Sequence, residues 1–247
     1  MTKWKTVWAL GCAAIGILGF ACAAAAAEPA GGAKAGDSGG DAPKPQTDLS
    51  KDKTLYVVST AHLDTQWNWT IQDTIRGHVP NTLRGNFAHF EKFPHYVFSF
   101  EGAFRYMLAK EYYPADYARL KGYVAKGRWA VAGSFVDACD VNIPSPESLI
   151  RQVLFGNGYF RREFGKTSRD VFLPDCFGFG YALPSIAAHC GVKGFSSQKL
   201  TWGCWTNIPF SNIGRWIGPD GASVVAVLQP GAYNSSVSTI SQTTPAN

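Results

Sequence analysis

The chain has 247 residues, with 23 basic and 18 acidic side chains and a formal net charge of +5. The basic residues are scattered rather than clustered, which argues against a nucleic-acid-binding surface. Hydrophobic residues make up 46% and aromatic residues 14% of the chain, enough to bury the core of about one domain.

Lys3 and Lys5 precede an apolar stretch over 7–24, and Ala25-Ala26-Ala27 then places small residues before Glu28. This reads as a signal peptide, residues 1–27, removed on export. It predicts a periplasmic or extracellular protein with no membrane association once the signal is gone. Residues 28–52 are rich in Gly, Ala, Pro, Asp and Ser, lack apolar periodicity, and read as a flexible linker. The folded part is expected over residues 53–247. Export permits disulfides. Cys139, Cys176, Cys190 and Cys204 form no Cys-x-x-Cys pair, however, and read mostly as buried free thiols.

Strands and helices alternate along the folded part. Residues 55–59 are predicted as a first strand, and 71–93 as a helix interrupted near Pro80. A second strand over 96–100 is followed by helical periodicity over 103–126, broken at Pro114. A third strand covers 129–135. Ser145 is expected to cap, and Pro146 to open, a helix reaching residue 164. A fourth strand (171–173), a short helix (184–189) and a fifth strand (194–198) follow. This βα repetition predicts an α/β fold with a parallel sheet or barrel and right-handed crossovers. Residues 214–217 and 223–228 flank Gly218-Pro219-Asp220-Gly221 and read as a C-terminal β-hairpin. Five parallel strands are too few to close such a barrel. The chain is therefore expected to be the N-terminal part of a longer catalytic domain.

Two segments carry the candidate chemistry. In Ala61-His62-Leu63-Asp64-Thr65-Gln66-Trp67, His62 and Asp64 are two residues apart after the first strand. They share a face if the extended geometry persists. Active sites of parallel α/β folds form at that strand end, and an imidazole beside a carboxylate suits a zinc-like ion. A purely structural His is the other reading of the same residues. The second segment is Phe172-Leu173-Pro174-Asp175-Cys176-Phe177-Gly178-Phe179-Gly180. It puts Asp175 on the same sheet edge, as a metal ligand, a nucleophile, or the N-cap of the next helix.

Four segments, in this order, resemble the N-terminal catalytic domain of glycoside hydrolase family 38, the retaining α-mannosidases. They are His62-Leu63-Asp64-Thr65-Gln66-Trp67, Asp140-Val141-Asn142-Ile143-Pro144-Ser145-Pro146-Glu147-Ser148-Leu149, Leu173-Pro174-Asp175-Cys176-Phe177-Gly178, and Ser197-Gln198-Lys199-Leu200-Thr201-Trp202. The resemblance implies that the chain is the N-terminal part of a seven-stranded (β/α) barrel. It implies zinc held by His62, Asp64 and Asp175, with Asp175 also the catalytic nucleophile, and mannose-containing glycans as substrates. Trp67 falls on the aromatic residue beneath the sugar, and Lys199 on a basic position near the nucleophile. The family's acid/base carboxylate and a further His ligand are expected downstream of Asn247. Asp137 and Asp140 stand in a shifted register where the family commonly has a Glu before its Asp-x-Asn segment. Glu101 reads as pocket lining or a helix cap, and His78, His89, His95 and His189 as surface or packing residues.

Two other readings remain at this point. One is a non-catalytic carbohydrate- or metal-binding module. The other is a zinc-dependent polysaccharide deacetylase, which calls for a His-x-x-x-His pair that the chain lacks. The sequence does not set the oligomeric state.

Overall fold

The computed structural model describes residues 58–199 and 213–228, together with Lys5–Thr6 and Thr54–Leu55. The last two segments pair in parallel and belong to a unit of their own. The rest of the signal and linker, Cys204 and the segment 200–212 lie outside the described residues. All the remaining elements belong to the larger unit.

The first strand, β1, spans Ser59–Ala61. It pairs in parallel with Phe98–Phe100; of the strand expected over 55–59, residues 56 and 57 lie outside the described residues. His62 is the first residue beyond the strand. Helical backbone then starts at Ile71 behind a capping box, in which Thr70 accepts from the Asp73 N–H and the Asp73 side chain accepts from the Thr70 N–H. The expected interruption near Pro80 is a π turn over Thr74–His78, with the Val79 N–H reaching back to the Thr74 carbonyl. The wider turn suits a proline at the start of the next segment, since Pro80 has no N–H to give to an i−4 carbonyl. That segment is α1, Val79–Lys92.

Strand β2 (Phe98–Glu101) leads to α2 (Ala103–Tyr112) and α3 (Pro114–Ala125), separated at Pro114. Strand β3 covers Trp129–Ala132. Helix α4 (Pro146–Phe164) opens with the Ser145 side chain accepting from the Ser148 N–H, and ends at Gly165 in the left-handed region. Strand β4 (Asp170–Phe172), α5 (Leu183–His189), β5 (Gly194–Ser197), β6 (Ile213–Ile217) and β7 (Ser223–Leu228) complete the described elements.

Strands β1, β2 and β3 pair in parallel in that order, and the second sheet runs β4-β5-β7-β6. Backbone and side-chain bonds join the two at one point. Ser134 N–H donates to the Asp170 carbonyl at 2.8 Å, and Gly133 N–H donates to the Asp170 carboxylate at 3.2 Å. The sequence reading set 223–228 apart in a hairpin. Its strand does pair antiparallel with β6, but it also pairs in parallel with β5. β7 is thus a sixth parallel strand, and β6 alone runs the other way. Periodicity cannot distinguish these cases, because an apolar run such as Val224-Val225-Ala226-Val227-Leu228 suits either pairing.

An aromatic core fills one half of this unit. Trp129 is fully buried, stands edge-on to Phe98 at 4.8 Å, and donates its indole N–H to the Tyr106 hydroxyl. Each such side chain contributes about 1.5–3 kcal/mol by burial. A second apolar cluster, including Phe135, Leu149, Val153, Leu173 and Phe195, packs α4 and α5 on the other sheet. Helix α4 approaches closely because residue 156 is glycine. A Cβ there would overlap the Ser134 carbonyl oxygen and lie 2.7 Å from the Phe135 carbonyl carbon.

Candidate active site

Four strand ends, two from each sheet, meet at one place. β1 delivers His62 and Asp64, β2 ends on Glu101, β4 leads through Leu173-Pro174 to Asp175, and β5 leads through Gln198 to Lys199. His62, Asp64 and Asp175 each bring one ligand atom within 4.8 Å of the others. His62 Nε2 lies 3.3 Å from Asp64 Oδ1 and 3.9 Å from Asp175 Oδ2. The other ring nitrogen, Nδ1, lies 2.5 Å from Glu101 Oε1. Lys199 Nζ is 2.5 Å from Asp175 Oδ1 and 4.7 Å from the centre of the Phe177 ring. The three residues open onto a cavity of about 170 Å³, whose lining also includes Cys139, Asp140, Cys176 and Phe177.

Among the described residues, the buried charged side chains are Glu101, Arg105 and Lys199. Each addresses one of the two motifs. Arg105, 1% exposed, donates from Nε at 2.8 Å, and also from Nη2, to the carbonyl of Leu63, the residue between His62 and Asp64. Its Nη1 donates to Asp137, whose other oxygen accepts from the Thr65 hydroxyl at 2.6 Å. The His62–Thr65 loop is therefore fastened on both sides. Gln198 donates to the Pro174 carbonyl at 3.0 Å, directly before Asp175.

The electrostatics follow from this packing. Burial opposes a charge on His62, but the Glu101 and Asp64 carboxylates beside it outweigh burial and raise its pKa to about 10. The hydrogen bond from His62 holds the Asp64 carboxyl below its ordinary value, with Arg105 and Lys199 adding to the effect. Burial pushes the thiols of Cys139 and Cys176 up, to about 11 and about 12. They line the cavity as neutral thiols rather than thiolate ligands.

The structure brings four of the residues singled out in the sequence (His62, Asp64, Asp175 and Lys199) to one place. Trp67 stands apart from the cavity lining. It is 69% exposed and edge-on to Trp69 at 5.7 Å. Glu101 takes neither expected use: it is absent from the cavity lining, makes no helix-cap bond, and pairs with His62 instead. Asp137, in its shifted register, faces Arg105 and Thr65, while Asp140 remains exposed in the lining. Arg105 and Gln198 escaped the sequence reading. The available signal was a single arginine among the apolar positions of α2, and an amide directly after an inward-facing strand.

Residues 52–245 match the glycosyl hydrolases family 38 N-terminal domain. Over 182 residues the chain is 35% identical to alpha-mannosidase G of Dictyostelium discoideum, a match spanning 73% of this chain and 17% of the relative. It is 32% identical over 178 residues to alpha-mannosidase 2C1 of Homo sapiens, spanning 72% and 17%. An alpha-mannosidase crystal structure from Enterococcus faecalis V583 superimposes with a TM-score of 0.57 at 19% identity, covering 69% of this chain and 19% of that one, a likeness of fold. The site sets carboxylates and an imidazole at the strand ends of a parallel α/β fold. The chain belongs to glycosyl hydrolase family 38, as its N-terminal domain. It spans about 17% of the length of these curated relatives.

Proposed function

We propose that this chain carries the sugar-binding and nucleophile-bearing part of an exported α-mannosidase that acts on mannose-containing glycans with retention. The observation that carries the reading is the convergence of His62, Asp64 and Asp175, within 4.8 Å of one another, in a domain of this family. One imidazole nitrogen and two carboxylate oxygens are a donor set that suits zinc. These three residues would hold the ion. Once bound, it supplies Lewis-acid and templating chemistry at sugar hydroxyls.

The chain's own residues divide the remaining work. Asp175 forms an ester bond to the anomeric carbon while the glycosidic carbon–oxygen bond breaks and its electron pair leaves with the oxygen. That oxygen takes a proton from a second carboxyl group, and water later releases the sugar. Lys199 holds Asp175 Oδ1, leaving Oδ2 on the His62 side. Trp67 offers an exposed flat face on which a sugar can stack. This reading assigns the acid/base and a further His ligand to none of the described residues. Export rests on residues 1–27 and is checked by N-terminal sequencing of the protein from a periplasmic or culture-medium fraction.

Asp175→Asn tests the assignment. Measured in the full open reading frame, it should remove nearly all hydrolysis of an aryl α-mannoside and also weaken zinc binding, because one carboxylate has both roles. Substantial hydrolysis by the variant would reject Asp175 as nucleophile.

A further inference from the structure

Glu101 is an unusual occupant of its position. Along β2, Phe98 and Phe100 alternate into the aromatic core, and Ser99 and Glu101 take the other face. Glu101 is nonetheless 2% exposed. A buried carboxylate is costly unless a partner compensates it, and a buried ion pair adds little stability over an apolar pair. The surroundings make room for it all the same. Residue 133 is glycine at φ +62°, and a Cβ there would lie 3.3 Å from Glu101 Cβ. The carboxylate reaches His62 Nδ1 at 2.5 Å, so the nitrogen on the Asp64 and Asp175 side is Nε2.

An imidazole that ligates a metal through one nitrogen carries its proton on the other. The group that accepts from that second nitrogen sets both tautomer and ring angle. We infer that Glu101 is the positioning residue of this site: it holds the His62 proton on Nδ1 and so presents Nε2 toward Asp64 and Asp175. The inference rests on the metal reading above. Glu101 itself touches neither metal nor sugar. Its effect passes through one imidazole ring.

The test is zinc affinity of the 247-residue chain, measured by chelator competition for the unsubstituted protein, Glu101→Gln, Glu101→Ala and Asp64→Asn. Loss of such an outer partner typically weakens metal affinity about 10–100-fold. Glu101→Gln keeps an acceptor oxygen but not its charge and should fall near the lower end; Glu101→Ala should fall near the upper end. Nitrogen-15 spectra of the histidine-labelled, zinc-loaded chain give a readout that fold stability does not move. The His62 proton should reside on Nδ1 in the unsubstituted protein, and its hydrogen-bonded signal should shift in Glu101→Gln. Unchanged affinity in a folded Glu101→Ala, or a zinc-loaded His62 protonated on Nε2, overturns the positioning role. If Asp64→Asn also leaves affinity unchanged, or the unsubstituted chain binds no zinc, the metal reading itself has failed. Should the Glu101 variants not fold, the tautomer of the unsubstituted protein alone decides.

Discussion

Arg105→Met probes how the His62–Asp64 loop is held. Methionine replaces most of the volume, so the loss is mainly polar. The substitution leaves the buried Leu63 carbonyl without its two guanidinium donors, which costs about 1–3 kcal/mol. It also removes the partner of Asp137, a carboxylate that is partly exposed and keeps donors from Thr65 and the Ala138 N–H; that loss adds at most about 1 kcal/mol. Relief from burying a guanidinium offsets part of the sum. The net is a destabilisation of about 1–3 kcal/mol. With a urea dependence of about 2 kcal/mol per molar, the unfolding midpoint falls by about 1 M. Zinc affinity should fall in the folded variant as well, because Leu63 lies between His62 and Asp64, two of the proposed ligands. Arg105→Lys keeps the charge but not the fork and should lose most of the same stability. A midpoint within about 0.3 M of the unsubstituted protein, with unchanged zinc affinity, would refute the argument.

Three further outcomes are expected from the site and the fold. A metal must displace the His62 proton, and with a pKa of about 10 that proton is present at neutral pH. Apparent zinc affinity should therefore rise about tenfold per pH unit on this account, levelling off near pH 10. A flat profile in chelator competition rejects the assigned charge. In the metal-free chain the same raised pKa stabilises the fold fully below the ordinary value of 6.5, and that contribution is lost as pH rises through about 10. Finally, Gly156→Ala should cost about 1–3 kcal/mol by pushing α4 off Ser134 and Phe135. Gly158→Ala on the same helix meets nothing within 4 Å and should stabilise by up to about 1 kcal/mol. Equal thermal shifts for the pair would contradict the close approach.

Much of the architecture was legible because its causes are local. Ser145 and Pro146 open α4 through a cap bond three residues away, and Pro114 divides α2 from α3 through the backbone of its own turn. His62, Asp64 and Asp175 were recognisable because each follows an apolar run, but it was the resemblance to family 38, not their spacing, that tied Asp175 to the other two. What the tertiary structure decided are pairings across long stretches of chain. Glu101 meets His62 across 39 positions, Arg105 meets Leu63 across 42, and Gln198 meets Pro174 across 24. The placing of β7 beside β5, parallel to it, is of the same kind. Periodicity tells which face of an element is buried, but not which distant group it is buried against. That choice is made by packing, where a buried charge is tolerated only opposite a partner that compensates it.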